Sequence, residues 1–167
     1  FAVQAHMVLS LVLIWVAVVM IVRARQADDG ERVSAVVPRV RRRVRLLVVW
    51  TWIALLAGSV VTGTGPHAGD EEARRFFGTA SDISGTAMVW ATRAHATIVW
   101  VTVAIALWLL WTLRRLAHDR RVLDGALTTW LITALVQGAI GYVQYAAGLP
   151  VVLVALHLGG AAALTVC

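Results

Sequence analysis

The apolar positions of the chain fall into five continuous runs, each close to the length of a membrane-spanning helix. A helix needs about 20 apolar residues to cross a hydrocarbon layer of about 30 Å. The strands of a membrane barrel would instead alternate apolar and polar residues, and that alternation is absent from the sequence. Backbone groups in lipid must bond within the protein, so the pattern predicts an all-α integral membrane fold. The predicted helices cover residues 2–22, 46–64, 88–113, 126–147 and 149–167.

Composition excludes a single soluble domain. Apolar residues make up 60% of the 167 positions and charged residues 14%, whereas globular chains contain about 45–50% apolar residues. The lipid bilayer is therefore the main predicted partner. The net charge of +6 does not indicate a nucleic-acid partner, because all fifteen basic residues are arginines and most lie between the apolar runs, where they report membrane orientation. The single cysteine, Cys167, excludes an internal disulfide and a cysteine-based metal cluster.

The charges of the connecting segments predict the orientation. Residues 23–45 carry eight arginines against three acidic residues, and residues 114–124 carry four arginines against two. The alternate connection, 65–93, has three arginines against four acidic residues, and residues 148–150 have no charge. Because arginine-rich loops stay on the cytoplasmic side, we expect 23–45 and 114–124 to be cytoplasmic loops of a multi-pass protein in the cell membrane. The first, third and fifth runs then enter from the external side.

Three histidines lie inside the apolar runs, where ionisable residues are costly and are functional candidates. His6, His95 and His157 each lie about 8–10 Å below the external start of their run, at 1.5 Å per residue. Two imidazoles on parallel helices can bind one metal ion. Without thiolates and with few carboxylates nearby, this ligand set suits a porphyrin iron, since zinc or copper would require a third or fourth protein ligand. The alternative is that these histidines only form hydrogen bonds between packed helices.

Other polar residues are weaker candidates. Arg93 lies two residues before His95 at the membrane edge, and it could pair with the carboxylates of a bound heme because arginine forms bidentate contacts with carboxylates. We expect His67 and His118 to be solvated loop residues. One face of the fourth run suits either a bound macrocycle or ordinary helix packing, and it carries Gln137, Gly141 and Gln144.

Three stretches of the sequence resemble heme A synthase of the actinobacterial type. They are Val-Val-Thr-Gly-Thr-Gly-Pro-His-Ala-Gly-Asp at 60–70, Gln-Gly-Ala-Ile-Gly-Tyr-Val-Gln-Tyr at 137–145, and Gly-Leu-Pro at 148–150 followed by His157. Members of this family have eight transmembrane helices, built as two related four-helix-bundle halves. The resemblance implies that the chain is a fragment with five of those helices.

The resemblance also implies a division of the chain. Residues 1–24 correspond to the last transmembrane helix of the N-terminal half, which holds the substrate heme. Residues 25–45 correspond to a cytoplasmic arginine-rich linker. Residues 46–167 correspond to the C-terminal four-helix bundle, which holds the cofactor heme b and is truncated at its C-terminal end.

Individual roles follow from the same resemblance. His95 and His157 match the two axial ligands of the heme b iron. His6 matches an iron ligand of the substrate, heme O. The family oxidises a methyl group of heme O to the formyl group of heme A for terminal oxidases, so the intact protein is expected to be an enzyme. Its proposed catalytic carboxylate lies in the part absent here, so we assign no catalytic residue and expect the fragment alone to be inactive.

The implied partners are heme O, heme O synthase and an electron donor that the sequence does not identify. Some relatives carry a cysteine pair in the external loop of the second half, and this chain has none there. Two other classes of protein stay open. A membrane b-type cytochrome that only transfers electrons would use the same two histidines. A transport or structural subunit would use them only in helix packing, and the purified protein would then be colourless.

Overall fold

The computed structural model describes residues 2–25, 35–64 and 86–167. These residues form five α-helices and no strand, which confirms the predicted all-α fold. Four of the helices are long and apolar enough to cross a membrane. The fifth has 14 residues, fewer than the about 20 that a span requires, so only four of the five predicted spans are confirmed. The helices are α1 (Ala2–Ala24), α2 (Pro38–Thr64), α3 (Thr86–Leu113), α4 (Ala117–Ala146) and α5 (Val151–Leu164).

Two helices extend well beyond the predicted apolar runs. α2 starts at Pro38 instead of residue 46, and α4 starts at Ala117 instead of residue 126. The predicted connection 114–124 is therefore mostly helical. The prediction counted apolar residues, whereas a helix can continue through charged residues beyond the apolar stretch. Proline suits the first position of a helix, and Arg120 and Asp124 form an ion pair of 3.7 Å one turn apart in α4.

A tight turn joins α4 to α5, as the Gly-Leu-Pro sequence predicts. Gly148 has a φ of 74°, the left-handed conformation that commonly ends a helix. Leu149 follows with a φ of 62°, which is uncommon for a residue with a side chain, and its N–H donates to the Gln144 carbonyl at 2.7 Å. Pro150 precedes α5. The chain therefore reverses within a few residues, and α5 packs against α4.

The α2–α3 pair has the most extensive interface in the described part of the chain. The Thr102 hydroxyl donates to the Ile98 carbonyl of its own helix at 2.7 Å and also lies 3.4 Å from the Trp50 carbonyl of α2. Closer to the α3 C-terminus, the guanidinium of Arg43 lies 3.7 Å from the ring centroid of Trp108, a cation–π contact. Residue numbers fall along α2 as they rise along α3, so the two helices are antiparallel.

The other neighbouring helices are antiparallel as well, so α1, α3 and α5 run in one direction and α2 and α4 in the other. We call the end of the bundle that contains His95 and His157 the histidine end, and the end that contains Arg114 and Arg115 the arginine end. His6 also lies toward the histidine end, as the predicted directions require. The contacts that define these directions are Gln4 with Gly63, Trp15 with Trp52, Trp100 with Tyr142 and Gln137 with Gly160.

The buried apolar core lies toward the arginine end, between α2, α3 and α4. Leu109, Leu113 and Val40 are its largest fully buried side chains. None of the residues of α5 is buried. Many large apolar side chains elsewhere point outward, Leu13 and Trp100 among them, which is typical of a surface that faces lipid.

Two polar residues in the first turn of α4 hold the segment that leads into α2. Asp119 is only 3% exposed, and its Oδ1 accepts the Val37 N–H at 3.0 Å. His118 Nε2 lies 3.2 Å from the Ala35 carbonyl. His118 is exposed, as expected, but it belongs to a helix and not to a loop. An acidic side chain in the first turn also complements the helix dipole. The starts of α2 and α4 are thus joined by a buried carboxylate.

Candidate histidine site

His95 lies on α3 and turns its ring toward α2. A Cβ atom at Gly58 would lie 3.1 Å from its Cε1 atom, so a side chain at position 58 would require the ring to shift by a few tenths of an ångström. The ring Nδ1 lies 3.1 Å from the Ala54 carbonyl oxygen. A carbonyl only accepts hydrogen bonds, so Nδ1 carries the proton. Nε2 is then left with its lone pair, which is the form of imidazole that binds a metal.

His157 lies on α5 and turns its ring toward α4. A Cβ atom at Gly141 would lie 3.2 Å from its Cε1 atom. The backbone of Gln137 interacts with this ring, but Nδ1 is buried without a hydrogen bond of ordinary geometry among the described residues. The position of the ring thus matches that of His95, whereas its hydrogen bonding is weaker.

The two histidines are held by the same arrangement, which we call a glycine seat. In each seat a glycine contacts the imidazole ring, and a backbone group four residues before that glycine interacts with the ring. The seat of His95 consists of Ala54 and Gly58, and the seat of His157 consists of Gln137 and Gly141. Both seats lie at the histidine end of the bundle, and His95 and His157 lie on helices that run in the same direction. The structure therefore places both imidazoles at one end of the bundle, each against a glycine of the neighbouring helix.

Buried amide and hydroxyl groups without partners accompany the seats. Gln137 is 8% exposed, and its side chain lies directly against Gly160 of α5. Buried polar atoms normally have hydrogen bonds, so each exception calls for an explanation such as an absent ligand or water. In the described part of the chain the exceptions besides His157 are Thr92 Oγ1, Gln137 Oε1 and Gln144 Oε1.

His6 is not part of this arrangement. Its side chain is exposed on α1, and it has no hydrogen-bond or ion-pair partner among the residues that the structure describes. The nearby Gln4 packs against Gly63 and so connects α1 to α2 at the histidine end. The predicted role of His6 in binding a second heme stays a prediction.

Arg93 is exposed and lies over the ring of Trp90, with 5.7 Å between the guanidinium carbon and the ring centroid. It forms no ion pair with a residue that the structure describes. The structure does not connect it to either histidine. His67 lies outside the described residues, as does most of the glycine-rich stretch that follows α2.

The described carboxylates lie at the opposite end of the bundle from His95 and His157. Asp119 and Asp124 are the only acidic residues within the described ranges, and both lie at the arginine end. Within the same ranges no group of three or more histidine, cysteine or acidic side chains could hold a metal ion. A metal bound by His95 and His157 would need further ligands from outside this set of described side chains.

Sequence reasoning missed the role of the glycines. It places Gly141 on a helix face that suits packing or a macrocycle, and it gives Gly58 no role. One signal was available: each glycine lies inside a predicted helix, at about the predicted depth of a histidine. Glycine destabilises the interior of a helix, so its presence there indicates that a neighbouring group packs closely against it. That signal does not identify which side chain fills the space.

Comparison with known proteins adds no family. No protein-family model, no curated protein and no solved structure matches the chain.

Proposed function

We propose that this chain is a membrane heme protein in which His95 and His157 are the axial ligands of a b-type heme. The observation that carries the proposal is the pair of glycine seats, which hold two imidazoles at the same end of the bundle on parallel helices. The tautomer of His95 that is fixed by the Ala54 carbonyl leaves Nε2 free for a metal.

The residues present fit a heme better than a bare ion. Two imidazoles are too few ligands for a typical protein zinc site, whereas a porphyrin supplies four nitrogens of its own and needs only two axial ligands. When bound, such a group supplies one-electron transfer. The protein's contribution is then to hold both rings, to exclude other ligands and to place the site between apolar helices.

We further propose that the intact protein is a heme A synthase that oxidises a methyl group of heme O to the formyl group of heme A. The stretches at 60–70, 137–145 and 148–157 support this assignment through their resemblance to that family. On this proposal the complete enzyme has eight helices in two halves, and His6 binds the iron of heme O. Heme O synthase and an electron donor would be its partners.

The same proposal gives the orientation. The loops 23–45 and 114–124 are cytoplasmic, and the histidine end faces the external side of the cell membrane. The arginines in these segments support this orientation, because basic residues near the ends of spans stay inside.

A second candidate is a b-type cytochrome that transfers electrons without converting a substrate. The observation that favours it is the pair of imidazoles itself, because two histidine ligands are sufficient to hold a heme that only transfers electrons.

The first test is a reduced-minus-oxidised visible spectrum with a pyridine hemochrome assay on detergent-purified protein. One low-spin b-type heme per chain is the expected result. A colourless preparation that retains its helical circular dichroism would refute the heme assignment and favour a subunit without a cofactor.

A product assay separates the two candidates. Membranes that contain the protein at its natural length are incubated with heme O and a reductant under oxygen, and extracted hemes are separated by chromatography. Formation of heme A supports the synthase. A heme b spectrum without conversion of heme O supports the electron carrier.

A further inference from the structure

Gly58 and Gly141 stand out among the described glycines because a histidine ring fills the space beside each of them. We infer that these two glycines are positioning residues that set the orientation of the iron ligands His95 and His157. The inference rests on the proposed heme site. It adds that the ring geometry depends on the absence of a side chain on the neighbouring helix.

Both rings present the same edge to their glycine. At each position the ring atom nearest to an added Cβ would be Cε1, which lies between the two ring nitrogens. The next distances are to Nδ1 and Nε2, at 3.5 and 3.7 Å for Gly58 and at 3.8 Å each for Gly141. With Cε1 against the helix, the two ring nitrogens lie on either side of the contact at similar distances from the glycine. The glycine therefore limits how closely the ring approaches the neighbouring helix, and so the position of both nitrogens.

A close approach of two helix backbones does not account for these contacts. A glycine that lets two helices approach would have the backbone or aliphatic side chains of its neighbour as its nearest atoms. At Gly58 and at Gly141 the three nearest atoms all belong to the imidazole ring. The space left by the missing side chain is thus occupied by a ligand residue and not by a packing helix.

A methyl group at either position would displace the ring by a few tenths of an ångström. The bond from His95 to the Ala54 carbonyl is already 3.1 Å long, near the upper part of the range for N–H···O bonds. A small displacement weakens this bond and rotates Nε2. Residues that orient metal ligands typically change metal affinity about 10- to 100-fold when altered, so we expect about tenfold weaker heme binding.

The test compares Gly58→Ala and Gly141→Ala with Gly138→Ala and Gly159→Ala. The control positions lie in the same two helices as the His157 seat, and a side chain there would meet nothing within 4 Å. All four variants are purified in detergent with the wild type. The measurements are the heme-to-protein ratio, the midpoint potential, and the low-temperature electron paramagnetic resonance spectrum of the ferric heme, which reports the orientation of the axial imidazoles.

The seat variants are expected to lose heme or to shift both the potential and the resonance spectrum, with helix content and thermal unfolding as in the controls. Wild-type spectra in both seat variants would overturn the inference while leaving the heme assignment intact. Parallel loss of heme and of helix content would also overturn it, because the glycines would then act on folding. A wild-type protein without heme would refute the proposed function itself.

Discussion

The α2–α3 and α4–α5 helix pairs hold their histidines by the same type of glycine seat, but they differ in hydrogen bonding and in burial. In the α2–α3 pair, His95 is bonded to the Ala54 carbonyl, and the interface continues through Thr102 and Arg43 toward a buried core. In the α4–α5 pair, His157 lacks such a bond, and α5 has no buried residue. The comparison indicates that both histidines are positioned by a glycine of the neighbouring helix, whereas the buried apolar side chains lie at the other end of the bundle.

The largest expected effect tests whether both pairs are needed. His95→Ala and His157→Ala should each abolish the low-spin heme spectrum, because either change leaves the iron with a single imidazole. Visible spectra of the purified variants measure this. His118→Ala, at the exposed start of α4, and His67→Ala are the controls and should keep the spectrum. A six-coordinate spectrum in both seat-histidine variants would remove the ligand assignment.

The second prediction compares the contributions of the buried core and of α5 to the free energy of unfolding. Leu109 is 2% exposed and Leu156 is 54% exposed. Leu109→Ala should lower the free energy of unfolding by about 2–5 kcal/mol because it leaves a cavity. Leu156→Ala should change it by no more than about 0.5 kcal/mol. Reversible unfolding in mixed micelles measures both. Equal losses would mean that the two pairs contribute alike to stability.

A smaller effect tests the connection between the pairs. Asp119→Ala removes the acceptor of the Val37 N–H and should cost about 1–3 kcal/mol, because this partly buried donor then loses its partner. Asp124→Ala is the matched control, since its ion pair with Arg120 is exposed and should contribute at most about 1 kcal/mol. The same unfolding measurement applies. A larger loss of stability for Asp124→Ala would contradict the prediction that the bond between Asp119 and Val37 contributes more to stability than the exposed ion pair.

The smallest effect concerns the extra bond of the α2–α3 pair. Thr102→Val removes a hydroxyl that bonds to the Ile98 carbonyl within α3 and also contacts the Trp50 carbonyl of α2 at 3.4 Å. The loss of the contact between the helices should cost about 0.5–1 kcal/mol, as hydrogen bonds between membrane helices commonly do. Thr97→Val is the control, because that hydroxyl bonds only to the Arg93 carbonyl within α3 and is exposed. Indistinguishable unfolding of the two variants would contradict a role for Thr102 between the helices.

The apolar runs were sufficient to predict the helices, because lipid leaves the backbone few alternatives. They misplaced the starts of α2 and α4, since charge does not end a helix that has left the apolar layer. The shared depth of His95 and His157 followed from counting residues along parallel runs.

The seats themselves could not be predicted. The contact between Gly58 and His95 joins residues 37 positions apart, and it depends on the crossing of two helices and on one ring rotamer. Neither leaves a periodic signal in the sequence. Likewise, nothing in the sequence around Asp119 indicates that its partner is the Val37 backbone.

The division of the ligands between two helix pairs has a consequence for biogenesis. During synthesis α2 and α3 leave the ribosome well before α5, and the α2–α3 pair presents only one imidazole. On the proposed ligation, stable binding of the iron cannot precede the insertion of α5, which carries His157. Binding of the prosthetic group would then connect the α2–α3 pair to the α4–α5 pair and stabilise their association.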